Sequence, residues 1–328
     1  MKNVCIVLLM LIAPLFAEES AVDVVEAYFK TQKNKEAEKA VELIHPDAIE
    51  NYKKVLLKVP AAQQGYMLQS FGFKDLEEFK KTSAKEVFIR TLKNVLAQLG
   101  PDIEFKTLGV TLKEDTAYVV YETSMKLNGM DYYKLSPLSL QKHEGKWRIL
   151  LTKNVEDEAP KQVEAPKVEA NSPEQLVMSS FSAMQKGDVA ACVKLFHQKD
   201  LGDFYNNMVT ELKSISAEGQ NRFISTFLKT IKSMKDLESA SPELFMEEIF
   251  TRVVAQFQQQ YQGGSLQFLG RIEGKDGKVY ILYNILGQTA MFASRVEVDT
   301  LRSDNGKWYL ALDEEILFAF KMSINSFK

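Results

Sequence analysis

Cysteine is nearly absent: the chain has two in 328 residues, and one of them, Cys5, lies inside an apolar opening run. Once that run is removed only Cys192 remains, which excludes an internal disulfide. On an apolar helix face a lone thiol reads as a small buried hydrophobe. Basic excess is also missing, with 41 Lys and Arg against 44 Asp and Glu, so no electrostatic footprint for nucleic acid is present. After the opening run, no apolar stretch is long enough to cross a bilayer. The sequence holds no Gly-rich phosphate loop, nucleophile elbow, metal-binding helix motif or acidic calcium loop, and therefore points to no cofactor and no metal.

What is present begins with MKNVCIVLLMLIAPLFAEES. One Lys precedes an apolar run, which ends at Pro14 and Leu15-Phe16-Ala17 ahead of two acids. This is the layout of a cleaved export signal over residues 1–17, and it implies a periplasmic or extracellular destination. Cys5 comes too early to be the lipid-bearing residue of a lipoprotein. Removing Lys2 with the signal takes the formal net charge from -3 to -4.

With 45% hydrophobic residues the chain can build real cores, and its length suggests two domains. Between them, EDEAPKQVEAPKVEANSP alternates Pro, acid and Lys with no large apolar side chain beyond valines. Such a stretch cannot bury enough surface to offset chain entropy and reads as a semi-extended linker over 155–171. The expected domains are therefore 18–154 and 172–328.

Comparing the chain with itself across that linker exposes an internal duplication. A constant offset of 152 lays Ser20 on Ser172, Phe29 on Phe181, Leu43 on Leu195 and His45 on His197. Farther on, TAYVVY at 116–121 matches KVYILY at 278–283, and EGKWRILL around Trp147 matches NGKWYLAL around Trp308. The stretch MQKGDVAACVKLFH is then a helix-turn-helix corner. Ser172-Pro173-Glu174-Gln175 is a helix start with the makings of a capping box, Gly187 supplies a left-handed stop and Asp188 caps the next helix. In the first half Asn34-Lys35 replaces Lys186-Gly187, a weaker stop.

Helical patterns follow at 49–57, 74–81 and 86–99 in the first half, and at 200–215, 222–234 and 242–260 in the second. Each half then changes to strand periodicity, at 103–111, 116–125, 132–141 and 147–152, matched by 265–273, 278–286, 290–302 and 307–312. Residues 113–115, 274–277 and 304–306 carry turn chemistry. Helices followed by an antiparallel meander make an α+β fold in each half.

On Phe181, Ala183, Gly187, Asp188, Ala191 and Leu195 in the corner, and on terminal strands ending in GKW, the pattern resembles the nuclear transport factor 2-like superfamily, also called SnoaL-like or cystatin-like. The resemblance implies two tandem cone-shaped domains, each with N-terminal helices packed on a curved antiparallel sheet. The long helical middle departs from the catalytic members, which include isomerases, dehydratases and hydrolases that work inside the cone with Asp, Tyr, His or Arg.

Those residue types mark the candidates. His45 and His197 sit at the end of the corner's second helix, where the dipole favours a partly charged ring, so capping is preferred over catalysis. Tyr118 and Tyr121, like Tyr280 and Tyr283, are three apart on strands and face opposite sides of the sheet. One of each pair can offer a hydroxyl to a ligand, with Tyr118 and Tyr280 chosen. Glu122 shares a strand face with Tyr118, but its counterpart is Asn284. Arg90 and Arg252 lie nearly opposite their apolar stripes and are expected to be solvated or between domains. No carboxylate constellation for proton transfer can be assembled.

AYVVY and VYILYNIL are apolar on both faces, which points to a second layer over each sheet and to an intramolecular pseudo-dimer with the sheets facing. The tail at 316–327 is too apolar for a solvated terminus, and docking is preferred to a partner surface. The sequence reading is thus an exported, non-enzymatic scaffold that binds a small apolar ligand, or a protein partner through a sheet face or the tail. The rival is a cone-pocket enzyme using Tyr with a carboxylate or His.

Overall fold

The computed structural model describes residues 19–100, 102–127, 129–151, 169, 171–261, 263–286, 295–312 and 314–327. The export signal expected at 1–17 and nearly all of the linker expected at 155–171 lie outside the described residues. The rest is α+β, with two four-stranded antiparallel meanders. β1 (Glu104–Lys113), β2 (Thr116–Leu127), β3 (Met130–His143) and β4 (Lys146–Leu150) form the first sheet in chain order. β5 (Ser265–Glu273), β6 (Lys278–Leu286), β7 (Arg295–Asp304) and β8 (Lys307–Leu310) form the second. Positions 290–294 of the expected seventh strand lie outside the described residues.

The duplication holds in three dimensions. Ile44 bridges to Ile149 and Phe196 to Leu310, both in parallel sense. His45 and His197 donate their backbone N–H to the carbonyls of Ile149 and Leu310 at 2.8 and 3.0 Å. The corner of each half is thereby stitched to the outer edge of its last strand. Helix Pro173–Lys186 starts at Ser172, whose hydroxyl accepts the Gln175 N–H, and stops at Gly187 with φ 73°. The expected reciprocal arm of the capping box is not made there, because the Gln175 amide turns to Ser179. In the first half both arms are present, between Ser20 and Asp23. Lys35, opposite Gly187, is forced to φ 56°, where an L side chain crowds its own backbone.

The helices differ from expectation in two places. Helix Ala61–Ser70 carries no clear apolar periodicity and was not foreseen. The helix expected at 222–234 is two helices, Ala217–Phe227 and Met234–Ser239. The break has a cause in Glu248, whose carboxylate accepts the backbone N–H of both Lys229 and Thr230 and the Thr230 hydroxyl. The matched arginines, expected to be solvated or between domains, lie at the surface of their own halves, Arg252 exposed and Arg90 partly so. Arg90 pairs with Glu78 and Glu86 and lies over the Phe73 ring, while Arg252 donates to the Thr226 carbonyl and lies over the Phe227 ring. Each clamps a neighbouring helical segment onto the long helix that carries it.

Each sheet has one face against its own helices. In the first half Ala117 and Val119 meet Val24, Val25, Ala40 and Leu96, and Phe29 stacks on Phe105 at 4.3 Å with Tyr121 at 4.7 Å. In the second, Val279, Ile281 and Tyr283 do the same against Phe181, Val193 and Phe250. The opposite faces meet each other: Val120, Leu269, Ile272, Tyr280 and Leu282 form one buried cluster flanked by Leu108, Tyr118, Leu135, Val296 and Val298. β1 and β5 approach closely at matched irregularities, where both strands shift register just before Gly109 and Gly270. A Cβ at Gly109 would overlap the Ile272 side chain, and one at Gly270 would overlap Thr111. Lys113 also donates its ammonium to the Phe268 carbonyl at 2.5 Å.

The last helix, Glu314–Asn325, reaches both halves. Phe320 packs on Phe204, Phe327 on Phe223 and Phe227, and Phe318 on Tyr132 of β3. Deleting 316–328 is expected to lower the melting temperature; unchanged melting would show that this helix contributes nothing to the core. Gly109→Ala and Gly270→Ala should each cost about 1–3 kcal/mol in urea denaturation through overpacking of the sheet contact. Lys35→Gly should act in the opposite sense, gaining about 1 kcal/mol by relieving the left-handed strain.

Candidate functional site

Where helix Pro46–Leu57 runs beside the β4 edge, the first half opens a cleft of about 470 Å³. Its apolar wall is Ala48, Tyr52, Val55, Phe88, Leu150 and Leu151, and His45, Asp47, Asn51 and Gln141 supply the polar groups. The position of each follows from local structure. Pro46 at the first helical position turns the chain straight from the β4 bridge into the helix, so that Ala48, Asn51, Tyr52 and Val55 fall on one side at helical spacing. Tyr52 meets Phe88 edge to face at 5.1 Å, its hydroxyl hydrogen-bonds Thr91, and burial raises its phenol above the ordinary range.

His45 has a different role from the one expected. It is the N-cap of the following helix rather than a cap on the preceding one, and its Nδ1 accepts the Asp47 N–H at 3.2 Å. The dipole at this end of a helix opposes a positive ring. That bond also places the proton of the neutral ring on Nε2. His143 on β3 meets His45 edge to face at 4.9 Å. Burial chiefly holds His45 below its ordinary value of 6.5; His143 and Arg148 push the same way, and Asp47 opposes them.

The second half treats the same positions otherwise. Asp200 replaces Ala48 and Arg302 replaces Gln141, and the two join at 2.7 Å. His197, also an N-cap, contacts Asp200 at 3.3 Å, and Asp304, in the place of His143, lies 3.9 Å from its Nε2. Phe204 stands where Tyr52 does and is buried, 5.8 Å from Phe320 of the last helix. An ion pair and an aromatic side chain thus occupy what the described residues of the first half leave open.

The other candidates do not join His45. Tyr118 and Tyr280 belong to the layer between the sheets, and the Tyr118 phenol is raised by burial and by Glu114. Glu122 pairs with Leu135 on that same side, past the end of β4. His197 is engaged by Asp200 and Asp304 of the second half. Cys192 is buried and its thiol is pushed up to about 11, chiefly by burial, which leaves it unreactive at neutral pH. Among the described residues no group of three or more His, Cys, Asp or Glu is placed to hold a metal ion, and no helix is long and apolar enough to cross a membrane. Sequence reading missed Tyr52, Asn51, Gln141 and His143. The missed signal was the broken match between halves: at Ala48 against Asp200 and Gln141 against Arg302, only the second copy carries a charge pair.

Comparison with protein-family models, with curated proteins and with solved structures finds no match.

The site predicts a pH dependence. The folded state holds His45 below 6.5, so the unfolded chain takes up a proton first as pH falls. The stability from its neutral form is fully present above about 6.5 and is lost as pH falls through the folded-state value. His45→Asn keeps an N-cap acceptor and removes the titration, and should flatten the fall in melting temperature as pH drops below about 6.5. An unaltered slope would show that His45 does not control it.

Proposed function

We propose that this is an exported, non-catalytic binding protein made of two tandem nuclear transport factor 2-like cones, in which the first half holds a small, mainly apolar ligand and the second half serves as its closed structural mate. The observation that carries the reading is the contrast between duplicates: an open cleft at His45, Tyr52 and Phe88, and an ion pair with Phe320 at the matching place. About 470 Å³ lies within the usual span of small-molecule sites, and an apolar wall with a few convergent polar groups is their ordinary composition.

The helix-covered faces of the sheets support binding at the cleft rather than chemistry in a cone. Phe29, Phe105 and Tyr121 stack there in the first half, and Phe181 with Phe257 in the second. Asp47, the carboxylate at the cleft, turns its side chain to solvent, 85% exposed. The face-to-face sheets support the pseudo-dimer, with Gly109 and Gly270 letting the strands close.

Native mass spectrometry of the chain purified from its export compartment tests the proposal. A discrete added mass that disappears on denaturation is the expected result. A clean unliganded mass, together with no ligand-induced rise in melting temperature across a set of small apolar compounds, would contradict it.

A further inference from the structure

The second copy shows what its own cleft accepts. Phe204, at the position of Tyr52, takes the ring of Phe320 at 5.8 Å and 82°, an edge-to-face contact. In the first half the shelf is kept: Tyr52 and Phe88 sit edge to face at 83°, and Leu150 and Val55 flank them. Among the described residues of the first half, no further ring sits on it. Aromatic pairs of this geometry gain beyond area burial because a ring edge meets a ring face, a preference that a saturated ring of the same size does not share.

The polar end of the cleft narrows the class further. His45 is held neutral with its proton on Nε2, and Asn51 and Gln141 contribute carboxamides. Replacing Arg302 and Asp200 of the second copy by Gln141 and Ala48 removes both charges that close its counterpart. A neutral imidazole and two carboxamides match an uncharged hydroxyl or amide, and the one charged lining group, the solvent-turned Asp47, would repel a carboxylate or phosphate rather than balance it.

Resting on the ligand-binding reading above, we infer that the first-half cleft takes an uncharged aromatic molecule of one or two fused rings bearing a hydrogen-bonding group, seated on Tyr52 and Phe88 as Phe320 is seated on Phe204. The ring lies toward Val55 and Leu150, and the polar group points to His45, Asn51 and Gln141.

Calorimetric titration of the purified chain with 2-naphthol and with its saturated counterpart, decahydro-2-naphthol, tests the class, and methyl NMR of Ala48 and Val55 locates binding without any substitution. The expected result is saturable binding that shifts both methyls, with 2-naphthol tighter by about threefold or more. Ala48→Asp combined with Gln141→Arg should install the second copy's ion pair and abolish binding of both probes. Equal affinities for the two probes at these methyls would overturn the aromatic assignment and leave the ligand-binding reading standing. Absence of saturable binding by either probe would overturn both, and binding that leaves the Ala48 and Val55 methyls unshifted would overturn the assignment to this cleft.

Discussion

The contact on which the rest depends is the dry layer between the two sheets. Each sheet has apolar residues on both faces, and a four-stranded meander cannot leave the second face in water without exposing Val120, Leu269, Ile272 and Leu282 together. Each such side chain contributes about 1.5–3 kcal/mol when buried, so separating the halves forfeits several of these terms at once. Glycine at 109 and 270 makes that burial possible, because the crossing strands have no room for a Cβ at either place. The last helix adds a second tie, with Phe318 on Tyr132 of the first half and Phe320 on Phe204 of the second.

Once the halves support one another in this way, their remaining surfaces are free to diverge. The corner, the bridge to the last strand and a histidine at the N-cap position are the same in both copies, although only His45 makes a side-chain cap bond. Beside that constant frame, four substitutions separate a filled site from an open one. Asp200 and Arg302 pair, Asp304 lies near His197 and Phe204 meets the last helix, whereas Ala48, Gln141, His143 and Tyr52 stand beside a cleft with His45, Asn51 and Gln141 at its polar end. A fully paired interior needs no ligand, and a roomy one with neutral polar ends is suited to hold one.

Much of this was legible in the sequence because it rested on local chemistry or on repetition. The duplication, the left-handed stop at Gly187, the Asp188 cap, the burial of Cys192 and the eight strands all follow from spacing and residue type. The rest depends on partners distant in the chain. The break after Phe227 is set by Glu248, the polarity of His45 by the strand that redirects the chain into a new helix, and the cleft by residues from two helices and two strands. Tyr118 and Tyr280 were correctly placed on a different face from Tyr121 and Tyr283, but alternation alone does not say which face meets helices and which meets another sheet.

The sheet-to-sheet layer can be tested with the two tryptophans the chain provides, Trp147 in the first half and Trp308 in the second. The most direct measurement is equilibrium urea unfolding of the single-tryptophan variants Trp147→Phe and Trp308→Phe, followed by fluorescence. One cooperative unit joined by the Val120–Leu282 layer predicts that each probe's transition coincides with the loss of far-ultraviolet circular dichroism in the same variant. A tryptophan transition well separated from the global one in either variant would show halves that unfold independently, and would contradict the account.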